Sequence, residues 1–234
     1  MELATDFGIP PPRVFGRRSG RQLRPGRRAT VALRLPERAL PPLPEGARLD
    51  PGGLFEVPVA DVWLEIGFGF GEHLIGRGAA NPDIGFIGCE PWLEGVAALL
   101  AKAPPALLPR LRVLADDARP LLAALTDASL GRVFVLFSDP WPKRRHHRRR
   151  LIQPEALRQV ARILRPGGEL LFASDHTGYI RWTLALAIDE PALRWCARRP
   201  GDWRHQPAGW IDTRYQRKAQ ARGARCYFLR FQRV

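Results

Sequence analysis

Carboxylates recur directly after the apolar runs in the middle of this chain, and glycines cluster after the first of them. The run Val62-Trp63-Leu64-Glu65-Ile66 leads into Gly67-Phe68-Gly69-Phe70-Gly71. Three glycines at alternate positions let a backbone turn sharply and pass close to a ligand, although they also serve any tight strand-to-helix turn. A dinucleotide fingerprint needs its third glycine at position 72, which is Glu72. That charge opposes a pyrophosphate at a helix N-terminus, where an anion would otherwise belong. A ligand without phosphate and with cationic centres is favoured, and S-adenosylmethionine, with an ammonium and a sulfonium, is of that kind. Glu90 closes the next apolar run, where an acid either accepts hydrogen bonds from two ribose hydroxyls or favours the dipole of the following helix. Asp116 and Asp117 follow a third run; one carboxylate there could meet an adenine amino group, while helix capping is the expected role of Asp116.

The fourth run ends in Ser138-Asp139-Pro140-Trp141-Pro142, followed by Lys143-Arg144-Arg145-His146-His147-Arg148-Arg149-Arg150. Two prolines stiffen a loop that presents one carboxylate, one aromatic face and six cations in eight residues. A nucleobase held beside phosphates suits that set, whereas a solvated charged face is the plainer alternative. Adjacent histidines among arginines meet phosphate or solvent more readily than metal, and no metal site is expected.

The elements that position these residues follow from periodicity. Apolar runs at 62–66, 84–89, 111–115, 132–137 and 169–174 read as strands. They alternate with helices ending near Arg77, from Leu93 to about Ala101, from Arg119 to about Leu125 and from Pro154 to Leu164, the last stopped by Pro166-Gly167-Gly168. A further helix over Tyr179 to Ile188 and late strands at Leu193–Ala197 and Ala224–Val234 complete the pattern. It predicts an α/β fold, a mostly parallel twisted sheet with helices on both faces and a late antiparallel strand. In such a sheet ligands sit beyond the carboxyl ends of the strands, where the polar residues above fall.

Among 234 residues, 37 Lys+Arg face 23 Asp+Glu, a formal net charge of +14. The excess lies at the margins. From Leu49 to Gly131 there are 11 acids and 5 bases, whereas Arg13 to Arg38 holds nine Arg and one Glu, and Arg194 to Val234 holds eleven cations and two acids. An acidic centre with basic flanks suggests a small cationic or neutral ligand inside and nucleic acid outside. Residues 1–53, rich in Pro, Gly and Arg, read as a basic N-terminal arm, much of it without a fixed fold; a helix over about Ala29 to Ala39 is expected there, weakened by Pro36. Residues 54–234 read as one domain. The three cysteines form neither a CxxC pair nor a disulfide framework, and no apolar stretch reaches the ~20 residues of a membrane span. A cytoplasmic protein, monomeric or homodimeric, is expected.

From about Arg17 onward the chain resembles the bacterial tRNA (guanine-N7-)-methyltransferases. The resemblance rests on Leu64-Glu65-Ile66-Gly67-Phe68-Gly69, on Asp139-Pro140-Trp141-Pro142-Lys143 with its basic tail, on Ser174-Asp175, and on Thr213-Arg214-Tyr215-Gln216. It implies a Rossmann-like class I fold, S-adenosylmethionine as methyl donor, and tRNA as substrate, modified at the variable-loop guanosine of position 46. It also implies that Glu65, Glu90, Asp117 and Asp139 contact the methyl donor and that Lys143, Asp175 and Thr213, Arg214, Tyr215 and Gln216 contact substrate. Arg144, Arg145, His146, His147, Arg148, Arg149 and Arg150 would then form an RNA-facing surface. The chain departs from the family pattern at Ser138, usually Pro, at Gln216, usually Glu, and at Lys218-Ala219, usually Arg-Gly. Two rival readings are an amino-methyltransferase using an Asp/Asn-Pro-Pro-aromatic loop, whose second proline is Trp141 here, and a non-catalytic RNA-binding protein on the same fold.

Overall fold

The computed structural model describes residues 23–234; the first 22 residues of the expected arm lie outside them. Seven strands form one sheet: β1 (Asp61–Ile66), β2 (Ile84–Cys89), β3 (Leu111–Leu114), β4 (Leu130–Leu136), β5 (Leu164–Ser174), β6 (Leu193–Trp195) and β7 (Tyr227–Arg233). Their order is β3-β2-β1-β4-β5-β7-β6. The first five run parallel, and β7 is antiparallel to both β5 and β6. The chain order reverses between β1 and β4, so the ends of these two strands flank the natural crevice of the sheet.

Alternation within each strand feeds two cores. Val62, Leu64 and Ile66 of β1 join Leu121, Leu157, Val160 and Tyr179 on one face. Trp63 joins Phe86, Leu74, Val96, Leu99 and Phe228 on the other. Helices α4 (Ala118–Ala124), α5 (Pro154–Ile163) and α6 (Thr177–Ile188) cover the first face, and α2 (Glu72–Ala80), α3 (Leu93–Lys102) and α8 (Arg214–Ala221) the second. α7 (Gly201–Arg204) is a single turn beside β7. Pro166-Gly167-Gly168 does not end α5. The helix stops at Ile163 and β5 starts at once, running through the Pro-Gly-Gly segment with Gly167 at φ +79° and a register shift opposite Leu130 and Arg132. Glycine tolerates that left-handed backbone, so the bend stays within the strand.

The N-terminal segment differs from expectation over its described part. Helix α1 spans Pro25–Arg38, starting earlier than Ala29, with Pro36 confined to its last turn. No side chain of it is fully buried, so its stability comes from docking, with Leu35 packed partly buried against the second core. Arg34 donates to the carbonyl of Leu100 (2.6 Å), one of the carbonyls that the end of α3 leaves without a helical partner, and Arg38 donates to Leu108 O and Glu56. Arg27 pairs with Glu94 at the other end of α3. Beyond α1, Leu40 N–H donates to Val113 O, which covers the exposed edge of β3.

Candidate active site at the carboxyl ends of the strands

Gly67, Gly69 and Gly71 all sit at positive φ (+75°, +58° and +79°), and Gly71 caps α2. A side chain at Gly71 would put Cβ 2.6 Å from Leu99 Cδ1. On the same helix as Leu99, Gly95 lets α3 approach the turn, since a Cβ there would run into the carbonyl oxygen of Gly69. The turn is thus packed tightly against α3 at two points, with its backbone facing an open cleft of about 450 Å³.

Three carboxylates line that cleft: Glu90, Asp117 and Asp139. Glu90, buried at the end of β2, accepts from Gly69 N–H (2.8 Å) and Trp92 N–H (3.0 Å), so it ties the glycine turn to the start of α3. Burial raises its carboxyl above the ordinary value of 4.5, partly offset by those two hydrogen bonds, while the charges of Asp139 and Glu65 push the same way as burial. Asp117 is the N-cap of α4, accepting from Arg119 N–H (2.9 Å) and from the Arg119 guanidinium (2.6 Å). The capping role expected for Asp116 belongs to Asp117; Asp116 instead accepts from Asp117 N–H (2.7 Å). Asp139 stands exposed after β4, and beside it the rings of Phe137, Trp141 and Tyr215 also line the cleft. Phe137 (φ +53°) and Trp141 (φ +43°) occupy left-handed backbone, a conformation costing about 1–3 kcal/mol for such residues and concentrated where surroundings hold a site in shape.

What holds Asp139 lies beneath it. Arg150 is 1% exposed, and its Nε donates to Pro140 O (2.8 Å) while its guanidinium packs 5.0 Å from the Tyr179 ring and 5.1 Å from that of Trp182. The Tyr179 hydroxyl accepts from Ile152 N–H (3.2 Å) and lies 3.5 Å from Ser138 Oγ. Arg150 and Tyr179 therefore grip the residues on either side of Asp139. The expectation that Arg150 faces RNA is corrected: the turn Arg144–Arg149 presents its neighbours to solvent and folds Arg150 inward, where an aromatic pair accepts its charge.

Glu65 is also corrected as a cleft residue. It shares a sheet face with Trp63, points towards α2 and meets His73 Nδ1 at 2.8 Å, both side chains buried. His73 also packs against Phe134 and Trp210. Among the expected substrate contacts, Tyr215 lines the cleft, whereas Lys143, Asp175, Thr213, Arg214 and Gln216 do not. Asp175 pairs with Arg222 (3.3 Å), and Arg214 stacks on Phe70. Thr213 caps α8 through Gln216 N–H (3.1 Å). Buried Gln216 accepts from Trp210 Nε1 (2.6 Å) and donates to Asp212 Oδ1 (2.8 Å). A glutamate at 216 would face the Asp212 carboxylate, so the amide suits this chain's loop. In the basic run Arg149 lines the cleft and stacks over Trp141 (5.0 Å), His146 meets the Trp141 ring edge-on, His147 abuts Trp182, and Arg144, Arg145 and Arg148 are exposed. Partial desolvation, then the charges of Arg149 and Arg145, lower the His146 pKa.

Sequence reasoning missed Arg119, Trp92, Phe137, Tyr179 and His73. Arg119 carried a signal, two residues after a capping Asp; Tyr179 and His73 reach their partners only through folding. Among the described residues no three His, Cys, Asp or Glu side chains are placed to hold a metal ion, and no helix is long and apolar enough to cross a membrane.

A five-strand parallel half-sheet with an antiparallel β7, and a carboxylate-lined cleft at its switch point, define a Rossmann-like class I methyltransferase fold. Residues 60–229 match the family model described as "Putative methyltransferase". The chain is 49% identical to a tRNA (guanine-N(7)-)-methyltransferase of Rhodospirillum rubrum over 94% of this chain and 88% of that protein. It is 43% identical to another of Chelativorans sp., covering 94% of each. The chain belongs to this tRNA (guanine-N(7)-)-methyltransferase family. Solved structures share the fold: the 16S rRNA methyltransferase KamB (TM-score 0.52, 22% identity, 75% of this chain and 89% of that one). A 16S rRNA (adenine(1408)-N(1))-methyltransferase from Catenulisporales acidiphilia with cosubstrate SAM is similar to the same degree (TM-score 0.52, 18% identity, 80% and 96%).

Proposed function

We propose that the protein transfers a methyl group from S-adenosylmethionine to N7 of the guanosine at position 46 in the variable loop of tRNA, acting in the cytoplasm. The observation that carries this reading is the convergence of Glu90, Asp117 and Asp139 with the Trp141 and Tyr215 rings on one cleft, beside a cationic turn. The donor set fits a ligand with cationic centres and hydroxyls. Glu90 stands at the end of β2 with two oxygens that still have lone pairs for ribose hydroxyls, and the left-handed glycines leave room for a close backbone approach. S-adenosylmethionine supplies the methyl group when bound.

Guanine N7 carries a lone pair and no proton, so no general base is required. The ring becomes cationic on methylation. Asp139, held from both sides, offsets that charge and fixes the base against the methyl carbon, so catalysis comes from alignment and electrostatics. Exposed Arg144, Arg145 and Arg148 take the phosphates. Incubation with labelled S-adenosylmethionine and unmodified tRNA, followed by nucleoside analysis, tests the reading: 7-methylguanosine at position 46 is expected. Label on an exocyclic amine would favour the amino-methyltransferase, and no transfer would favour a binding protein.

A further inference from the structure

A second groove, of about 680 Å³, lies outside the cleft and is lined by Arg204, His205, Gln220, Arg225 and Tyr227 among others, none of them acidic. Its arginines differ from six others in the C-terminal half that are held by carboxylates. Arg158, Arg162, Arg165, Arg199, Arg222 and Arg230 each face a carboxylate. Among the described residues no carboxylate pairs with Arg204 or Arg225, and both are exposed. The Arg204 guanidinium is stacked 4.8 Å from the Trp203 ring, which in turn lies 5.6 Å from Tyr227 at 31°. Stacking holds the guanidinium flat while leaving its donors to an incoming anion.

The groove also has a definite place relative to the cleft. Tyr227, the first residue of β7, pairs with Ser174, the last of β5, so the groove opens at the same end of the sheet as Asp139 and Asp175. In the order β4-β5-β7 it lies two strands from Asp139, about 10 Å at the usual ~4.8 Å strand spacing. A nucleic-acid strand presents a phosphate about every 3.4 Å of helix axis. A strand with one base at Asp139 thus brings its phosphates two or three nucleotides further along over the groove.

We propose that the Arg204–Arg225 groove is a second RNA subsite, which grips phosphodiesters flanking the target nucleotide along the carboxyl edge of the sheet. This rests on the reading of tRNA as substrate, and it gives the cationic C-terminal segment a phosphate contact separate from the Arg144–Arg149 turn. The experiment compares the parent with Arg204→Gln/Arg225→Gln, and with Arg225→Glu alone, which leaves the Trp203 stack intact. Affinity for unmodified tRNA is measured across a salt series, with S-adenosylmethionine affinity and the thermal midpoint alongside. For the double variant a log-log salt slope shallower by about 1.4–1.8 is expected, two contacts at ~0.7–0.9 each, together with unchanged cofactor affinity and midpoint. Arg225→Glu should weaken tRNA binding at low salt at least as much as loss of one contact. Slopes equal to the parent's in both variants would overturn the subsite. A parent that binds tRNA but transfers no methyl group would overturn the proposed function instead, and the slopes would still decide the groove.

Discussion

Arg150→Met separates a buried clamp from an RNA contact. The substitution removes a charge-assisted hydrogen bond to Pro140 O, worth about 1.5–3 kcal/mol, and two cation–π contacts worth about 0.5–2 kcal/mol each. It also removes a guanidinium whose burial costs several kcal/mol, so the net loss of stability should stay near 1–2 kcal/mol, with methionine filling much of the volume. Function should suffer more. Pro140 adjoins Asp139, and a misplacement of about 1 Å in a reacting constellation costs about 100-fold. Single-turnover methyl transfer at saturating tRNA is therefore expected to fall about 10- to 100-fold, with the salt slope of tRNA binding unchanged, because a side chain 1% exposed reaches no phosphate. Tyr179→Phe, which loses the hydroxyl at Ser138 and Ile152, should slow the same step, and the double variant should be less than additive. A parent-like single-turnover rate with a slope shallower by about 0.7–0.9 would refute the clamp and return Arg150 to the RNA surface.

Asp139→Asn should leave the thermal midpoint within about 2 °C of the parent, since the residue is exposed, and lower methyl transfer at least ~100-fold; near-parent turnover would exclude the role given to Asp139. Glu90 makes cofactor binding pH-dependent: burial raises its carboxyl above 4.5, and ribose hydroxyls need the ionised form, so affinity should weaken as pH falls through the raised value. The sign for the free protein is opposite. A raised carboxyl favours folding below its unfolded value, and that contribution is lost as pH rises through the folded one. Calorimetry in two buffers of different ionisation enthalpy should detect proton release on cofactor binding in the acid range where Glu90 titrates, absent in Glu90→Gln. Gly95→Ala drives Cβ against the Gly69 carbonyl, so helix or turn must move; a loss of about 1–3 kcal/mol in stability together with weaker cofactor binding is expected, and a change in neither would show that the two elements are not rigidly packed.

Periodicity placed β1, β2 and β4 within two residues, because these strands are buried on both faces and written as short apolar runs, whereas the start of β5 was missed by five residues where the strand passes through Pro166-Gly167-Gly168. For the same reason Gly67, Gly69, Glu90 and Asp139, just past those runs, could be named as cleft residues from their order, since a parallel sheet delivers every strand end to one side, whereas Asp117 rather than Asp116 followed from the family resemblance. Composition located the cations but not their partners. Whether an arginine meets a phosphate, a carboxylate or an aromatic pocket depends on residues distant in sequence, as Arg150 shows with Tyr179 and Trp182, and Arg34 with the end of α3. Side-chain direction was equally hidden for Glu65, whose buried partner His73 lies eight residues on, and for Gln216, whose two polar groups are consumed by Trp210 and Asp212. Local patterning fixes where the chain runs and at which end of the sheet its polar residues emerge. Tertiary packing alone decides which of them the cleft receives, because burying a charge requires a partner that folding must first bring near.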